Sequence, residues 1–240
     1  MNYRNQMSCA LVAALLAFVI GVALGSPVAA QNQGLMDGVA ELMQETVQNK
    51  QALAQFTWVE QVTISLKGEE RKQEHFQVRL GQDGKPQKTS LDPPPPPPQE
   101  ERRLKRHIVE KKKEEYKEYA DQIKALIQQY VPPEQNLLEQ AHHEGNIMIG
   151  PDPNAPGEYR LVISNYLKQG DNVTLVIDKA QKKLRNMSIA TYLDDPSDAV
   201  KVDVTFSSIP GGPNHVSGET INGVSKQLTI AIQNGNYQHL

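Results

Sequence analysis

The sequence predicts an α+β protein: a curved antiparallel sheet with helices gathered on one side and one long charged helical arm. Three observations predict it. Two regions alternate apolar and polar residues with the period of a strand, and between them Glu101 to Val131 carries helical spacing. The strand-like runs are joined by short Gly, Asn, Asp and Pro turns that suit an antiparallel meander. The composition agrees: aromatic residues make up only 5% and Trp58 is the single tryptophan, so Val, Ile and Leu must fill the interior.

The chain opens on a targeting segment. Residues 1–30 hold the lone charge Arg4, an apolar core from Ala10 to Leu24, then Gly25-Ser26-Pro27 and the small residues Val28-Ala29-Ala30. This is the three-part pattern of a secretory signal cleaved between Ala30 and Gln31. The apolar run is shorter than the ~20 residues of a spanning helix, so no transmembrane segment is expected after cleavage. Cys9, the only cysteine, leaves with the signal, and the mature chain has no disulfide or thiolate chemistry. A periplasmic or secreted location follows as the expectation. The formal net charge of −3 becomes −4 when Arg4 is removed, and nothing in that balance points to nucleic acid.

The elements follow in order. From Gly34 to Gln55, Leu35, Val39, Leu42, Met43, Val47 and Leu53 recur at amphipathic helical spacing. Phe56 to Leu66 then changes period, with Trp58, Val62 and Ile64 on one face and only Glu60 as a polar residue among them. After Lys67-Gly68, Lys72 to Leu80 alternates Phe76 and Val78 against Gln77 and Arg79, which completes a hairpin. Residues 31–81 are thus a helix and a hairpin. Residues 82–103 read as a disordered Pro-rich linker, because Pro93 to Pro98 can join neither a ladder nor a helix. Its simplest role is a polyproline spacer; a proline-motif ligand is the sharper one.

Residues 104–145 form the helical segment. From Tyr116 onward, Tyr119, Ala120, Ile123, Ile127 and Tyr130 extend an apolar stripe that must be covered. Before it, Lys/Arg and Glu blocks alternate, and that half should project into solvent. Val131-Pro132-Pro133 ends the helix, and a second runs from Glu134 to Glu144. Gly150 to Gly157 reads as a loop. Residues 158–240 form a C-terminal meander in the same domain as 31–81: Val173, Leu175 and Ile177; Met187 and Ile189; Val202, Val204 and Phe206; and, after a long loop opened by Pro210, Leu228, Ile230 and Ile232.

Val173 to Lys179, Leu184 to Ile189 and Val202 to Ile209, in this order behind a signal, a helix and a hairpin, resemble the periplasmic lipoprotein-carrier superfamily, the LolA/LolB-like outer-membrane lipoprotein-sorting proteins. The resemblance implies an open, unclosed β-barrel whose concave apolar face is lidded by helices and holds acyl chains. The candidate ligand-binding positions are then Trp58, Val62, Ile64, Phe76, Val78, Leu175, Ile177, Val202, Val204, Phe206 and Ile230. The same alternation also fits an ordinary core filled by the protein's own helices, because it shows that a face is dry and not what dries it. In that case the function is a cell-envelope interaction or sensor module that meets a partner protein through the Pro-rich segment and the charged helix.

No catalytic signature is present: there is no Gly-Xaa-Ser-Xaa-Gly, phosphate loop or dinucleotide fingerprint, and the protein is expected to be non-enzymatic without a cofactor. His142 and His143 are adjacent and point about 100° apart on a helix, so they make a poor metal pair. Asp194, Asp195 and Asp198 surround Pro196 in what reads as a turn.

Overall fold

The computed structural model describes residues 44–94, 103–131 and 133–240. The expected signal peptide with its Ala30/Gln31 cleavage site, the first part of the expected Gly34 to Gln55 helix and most of the proline run lie outside the described residues.

Ten strands among the described residues pair antiparallel in one open sheet: β1 (Phe56–Leu66), β2 (Glu69–Leu80), β3 (Pro86–Ser90), β4 (Ile147–Pro151), β5 (Glu158–Ser164), β6 (Asn172–Asp178), β7 (Lys183–Tyr192), β8 (Ala199–Ser208), β9 (Asn214–Gly223) and β10 (Leu228–His239). Their spatial order is β3-β2-β1-β10-β9-β8-β7-β6-β5-β4, so β3 and β4 are the two edges. Pairing of β1 with β10 joins the N-terminal hairpin and the C-terminal meander into one layer. Three helices accompany it: α1 over residues 44–53, α2 (Arg103–Ile127) and α3 (Gln135–His143).

The strand period sets the buried face. Because every second residue shares a side, the register lines up Ile64, Ile230, Ile221, Val202, Ile189, Val173, Ile163 and Ile147 across eight strands. The neighbouring row runs Val62, Ile232, Glu219, Val204, Met187, Leu175, Leu161 and Ile149, with one glutamate among its apolar members. At the β1–β2 turn, Lys67 and Gly68 both adopt positive φ, 56° and 78°, the conformation of a tight hairpin whose twist matches its strands.

The helices sort as their sequences dictate. Tyr119, Ala120, Ile123, Leu126 and Ile127 of α2, and Tyr130 just after it, are buried against the sheet, while residues 110–115 are exposed. The stripe after Tyr116 is therefore the packed half, and the Lys/Glu run at residues 110–115 before it faces water. Leu138 and Ala141 of α3 join the same core.

Three strands lie where none is expected. Pro86–Ser90 forms β3 within the segment assigned to a disordered linker; Pro86 takes the first place of an edge strand, where its missing N–H breaks no ladder bond. Ile147–Pro151 forms β4 and takes the first residues of the expected Gly150 to Gly157 loop. Asn214–Gly223 forms β9 inside the expected long loop; its buried positions are Asn214, His215, Glu219, Ile221 and Gly223, with a single large apolar residue among them, too few to signal a strand.

Candidate functional site

The predicted ligand-binding residues share the buried face but divide between two clusters. Val202 and Val204 lie in the larger one under α2, 1% and 2% exposed, with half-buried Leu175 and Phe206 against it. Trp58, Val62, Phe76 and Val78 form the smaller one with Ile232, partly covered by Leu53 of α1. Ile64 and Ile230 touch both. Ile177 is half-buried at the far end of β6 and belongs to neither.

Two tyrosine hydroxyls fasten α2 across the face. Tyr119 Oη donates to Asp198 Oδ1 at 2.8 Å and accepts from Ser225 Oγ at 3.1 Å, which ties one end of the packed half to two loops. Tyr130 Oη donates to Asp171 Oδ2 at 2.6 Å and lies 2.6 Å from Thr191 Oγ1, which ties the other end to the β5–β6 turn and β7. Burial raises both phenols above their ordinary range, so neither titrates near neutrality. Between the latches the contact is apolar and close. A Cβ on Gly223 would stand 2.5 Å from Tyr119 Cε1 and 2.7 Å from Ile123 Cδ1, closer than side chains approach. Gly223→Val is therefore expected to lift α2 and to cost about 1–3 kcal/mol as overpacking, read as a lower thermal midpoint and faster proteolysis at α2.

The smaller cluster carries charge. Glu60, the polar residue visible on the apolar face of β1, is 2% exposed and bonds the Lys88 ammonium of β3. Lys88 is itself sealed, with 3% of its side chain exposed. Two residues along from Glu60's partner Asn234, Ile232 pairs with Glu219 of β9, 7% exposed in the same face. The Glu219 carboxylate makes no hydrogen bond or ion pair among the described residues. Burial, then the charge of Glu60, push its carboxyl from 4.5 up to about 7, with Lys88 pulling the other way. Glu60 is raised too, by burial first and against the pull of Lys88.

Glu219 makes stability depend on pH. Between its unfolded value and its folded value, the folded chain holds a proton that the unfolded chain has released. Glu219's contribution to stability therefore falls as pH rises from 4.5 to about 7, by about 3 kcal/mol across the window, with the lowered His215 contributing in the opposite sense. Glu219→Gln is expected to abolish that slope: more stable than the parent by about 2–3 kcal/mol above the window and equal to it below, in urea unfolding at several pH values.

Beside this cluster, Ser207, Ser208, Ile209, Pro210, His215, Asn234, Gly235 and Tyr237 line a cleft of about 340 Å³. Asn234 Oδ1 accepts from Trp58 Nε1 at 3.2 Å, and Trp58 stacks on Tyr237 with centroids 5.9 Å apart. His215 meets Tyr237 edge to face at 4.2 Å, and burial holds its imidazole below the ordinary value.

The other candidates resolve into local structure. His142 and His143 lie ring to ring at 6.1 Å at the end of α3. Asp195 Oδ1 accepts from the Ser197 N–H at 2.9 Å and its hydroxyl at 2.6 Å, the bonds of a turn, and Asp198 serves Tyr119. Among the described residues no group of three or more His, Cys, Asp and Glu could hold a metal ion, and no helix is long and apolar enough to cross a membrane. Sequence reasoning found Glu60 as an exception on β1. It missed Asp171 in the β5–β6 turn, and Lys88 and Glu219, which sit on two of the unexpected strands, β3 and β9.

No protein-family model matches the sequence, and no curated protein matches it. Among solved structures, the crystal structure of a DUF1329 family protein from Desulfovibrio piger is similar, at 11% identity, 86% coverage of this chain, 92% coverage of that chain and a TM-score of 0.42. A TM-score of that size decides nothing about function.

Proposed function

We propose that the protein is a non-enzymatic binder of a hydrophobic ligand, an acyl chain of a lipid or lipoprotein, taken up between the concave face of the sheet and α2, outside the cytoplasm. One observation carries this reading. Two rows, apolar but for Glu219, run side by side across eight strands, and the packed half of α2 that covers them is fastened at its two ends by the hydroxyls of Tyr119 and Tyr130. A lid held by a few hydroxyl bonds and a dry contact is separable. Each acyl CH₂ taken into the gap contributes ~0.8 kcal/mol toward replacing the helix.

The test is uptake of a fluorescent fatty acid. The parent is expected to bind it saturably, and Val204→Gln and Leu175→Gln, which put an amide on the dry face, are expected to weaken binding by about tenfold or more while keeping the parent circular dichroism. Absence of uptake by the parent rejects the reading.

A second reading has its own observation. The core beneath α2 is filled by Ile123, Leu126 and Ile127, and the charged residues 110–115 stand exposed. This suits an envelope module that meets a protein partner with the free half of α2. Charge reversal at Lys111 to Lys113 separates the two: it leaves fatty-acid uptake intact in the first and abolishes partner capture in the second.

A further inference from the structure

We infer that Glu219, backed by the Glu60–Lys88 pair, is a docking point for one cationic head group, a primary ammonium, on the concave face. The inference adds a head-group site to the acyl reading and stands on separate geometry.

The first step is a charge count. Glu60 and Glu219 place two carboxylates on one apolar sheet face, and Lys88 supplies one ammonium, which bonds Glu60. Among the described residues, the cluster carries one more carboxylate than ammonium. A buried charge without a partner is costly, and a cation brought to it is bound strongly because little water screens the pair.

The second step is the state of Glu219 itself. It is more than nine-tenths buried, yet its carboxylate accepts no hydrogen bond among the described residues, where buried carboxylates are normally satisfied. An acceptor with spare capacity is what a donor group on a ligand requires.

The third step is selectivity. A phosphate or carboxylate head would meet two like charges. A divalent metal needs six or more oxygens, or a closed set of ligands, and two carboxylates do not supply them. An ammonium needs only a carboxylate and hydrogen-bond acceptors. The cleft lies close by on the same sheet, since its wall residue Asn234 pairs with Glu60 across β1 and β10. Ile232 and Val204, which flank Glu219 on the neighbouring strands, continue into the apolar rows and would receive any attached chain.

The chemistry could come from an amphiphile's amine head or from a small free amine, and the test separates them. Octylammonium, octanol and propylammonium are titrated into the full protein above the Glu219 titration, with Trp58 fluorescence and calorimetry as readouts. Trp58 is the only tryptophan and bonds Asn234 at the cleft, so it reports there. Octylammonium is expected to bind at least about tenfold more tightly than octanol, and Glu219→Gln, an isosteric change that removes one buried charge, is expected to erase that preference. Equal binding of octylammonium and octanol overturns the cation site and leaves the acyl reading standing. Propylammonium binding as tightly as octylammonium, with loss in Glu219→Gln, upholds the cation site and rejects the acyl reading. A preference that survives Glu219→Gln, or no saturable binding of either amine, overturns the inference.

Discussion

Asp171→Ala is expected to destabilise the protein by about 3–5 kcal/mol. Its carboxylate is 2% exposed and satisfies four donors: the Tyr166 N–H at 2.6 Å, the Leu167 N–H at 3.0 Å, the Lys168 N–H at 2.8 Å and the Tyr130 hydroxyl at 2.6 Å. Alanine leaves all four without that acceptor, inside the turn that anchors the end of the packed helix. Tyr130→Phe removes only one of the four and is expected to cost about 1–2 kcal/mol. Urea unfolding of both variants checks the ranking. A loss below about 1 kcal/mol for Asp171→Ala would mean that the β5–β6 turn holds its shape without the carboxylate.

Lys88→Met is expected to cost about 3–5 kcal/mol above the Glu219 titration, because it breaks a buried ion pair from one side and leaves Glu60 and Glu219 charged together. The sign with pH follows from the raised carboxyls. Both hold their protons to higher pH in the folded chain, so acidification neutralises the unpaired charges and the deficit must shrink as pH falls through the folded values. The double variant Lys88→Met with Glu60→Gln is expected to recover most of the loss, since replacing both members of a buried pair costs far less than removing one. A pH-independent deficit in the single variant would show that Lys88 acts through β3 packing and not through charge.

The part of the fold carried by local period was legible in the sequence. The alternation of β1, β2, β6, β7, β8 and β10, and the helical stripe from Tyr116, each repeat often enough to fix the element and its buried side. The rest depends on partners far along the chain. Lys88 looks solvent-facing in a Pro-bounded polar stretch and is buried because Glu60, 28 residues away, receives it. Asp171 reads as a turn former, and its bond to Tyr130 spans 41 residues. On β9 the glutamate and glycine that hide the strand are the residues with specific tasks: Glu219 is the charge on the face, and Gly223 makes room for Tyr119 and Ile123. The candidate site was legible as an apolar face and as the exception Glu60. Its second carboxylate, its lysine and its helix latches lay in cross-strand and helix-to-sheet contacts between residues distant in the chain, which no local pattern encodes.

Native mass spectrometry of the protein purified from a bacterial periplasm, with solvent extraction of what accompanies it, tests acyl binding most directly. The expected result is a chain beginning at Gln31 that carries one lipid per protein, lost when Val204 or Leu175 is changed to glutamine. A bare polypeptide mass, together with no uptake of an added fatty acid, would contradict it and would turn the search to a partner of the exposed half of α2.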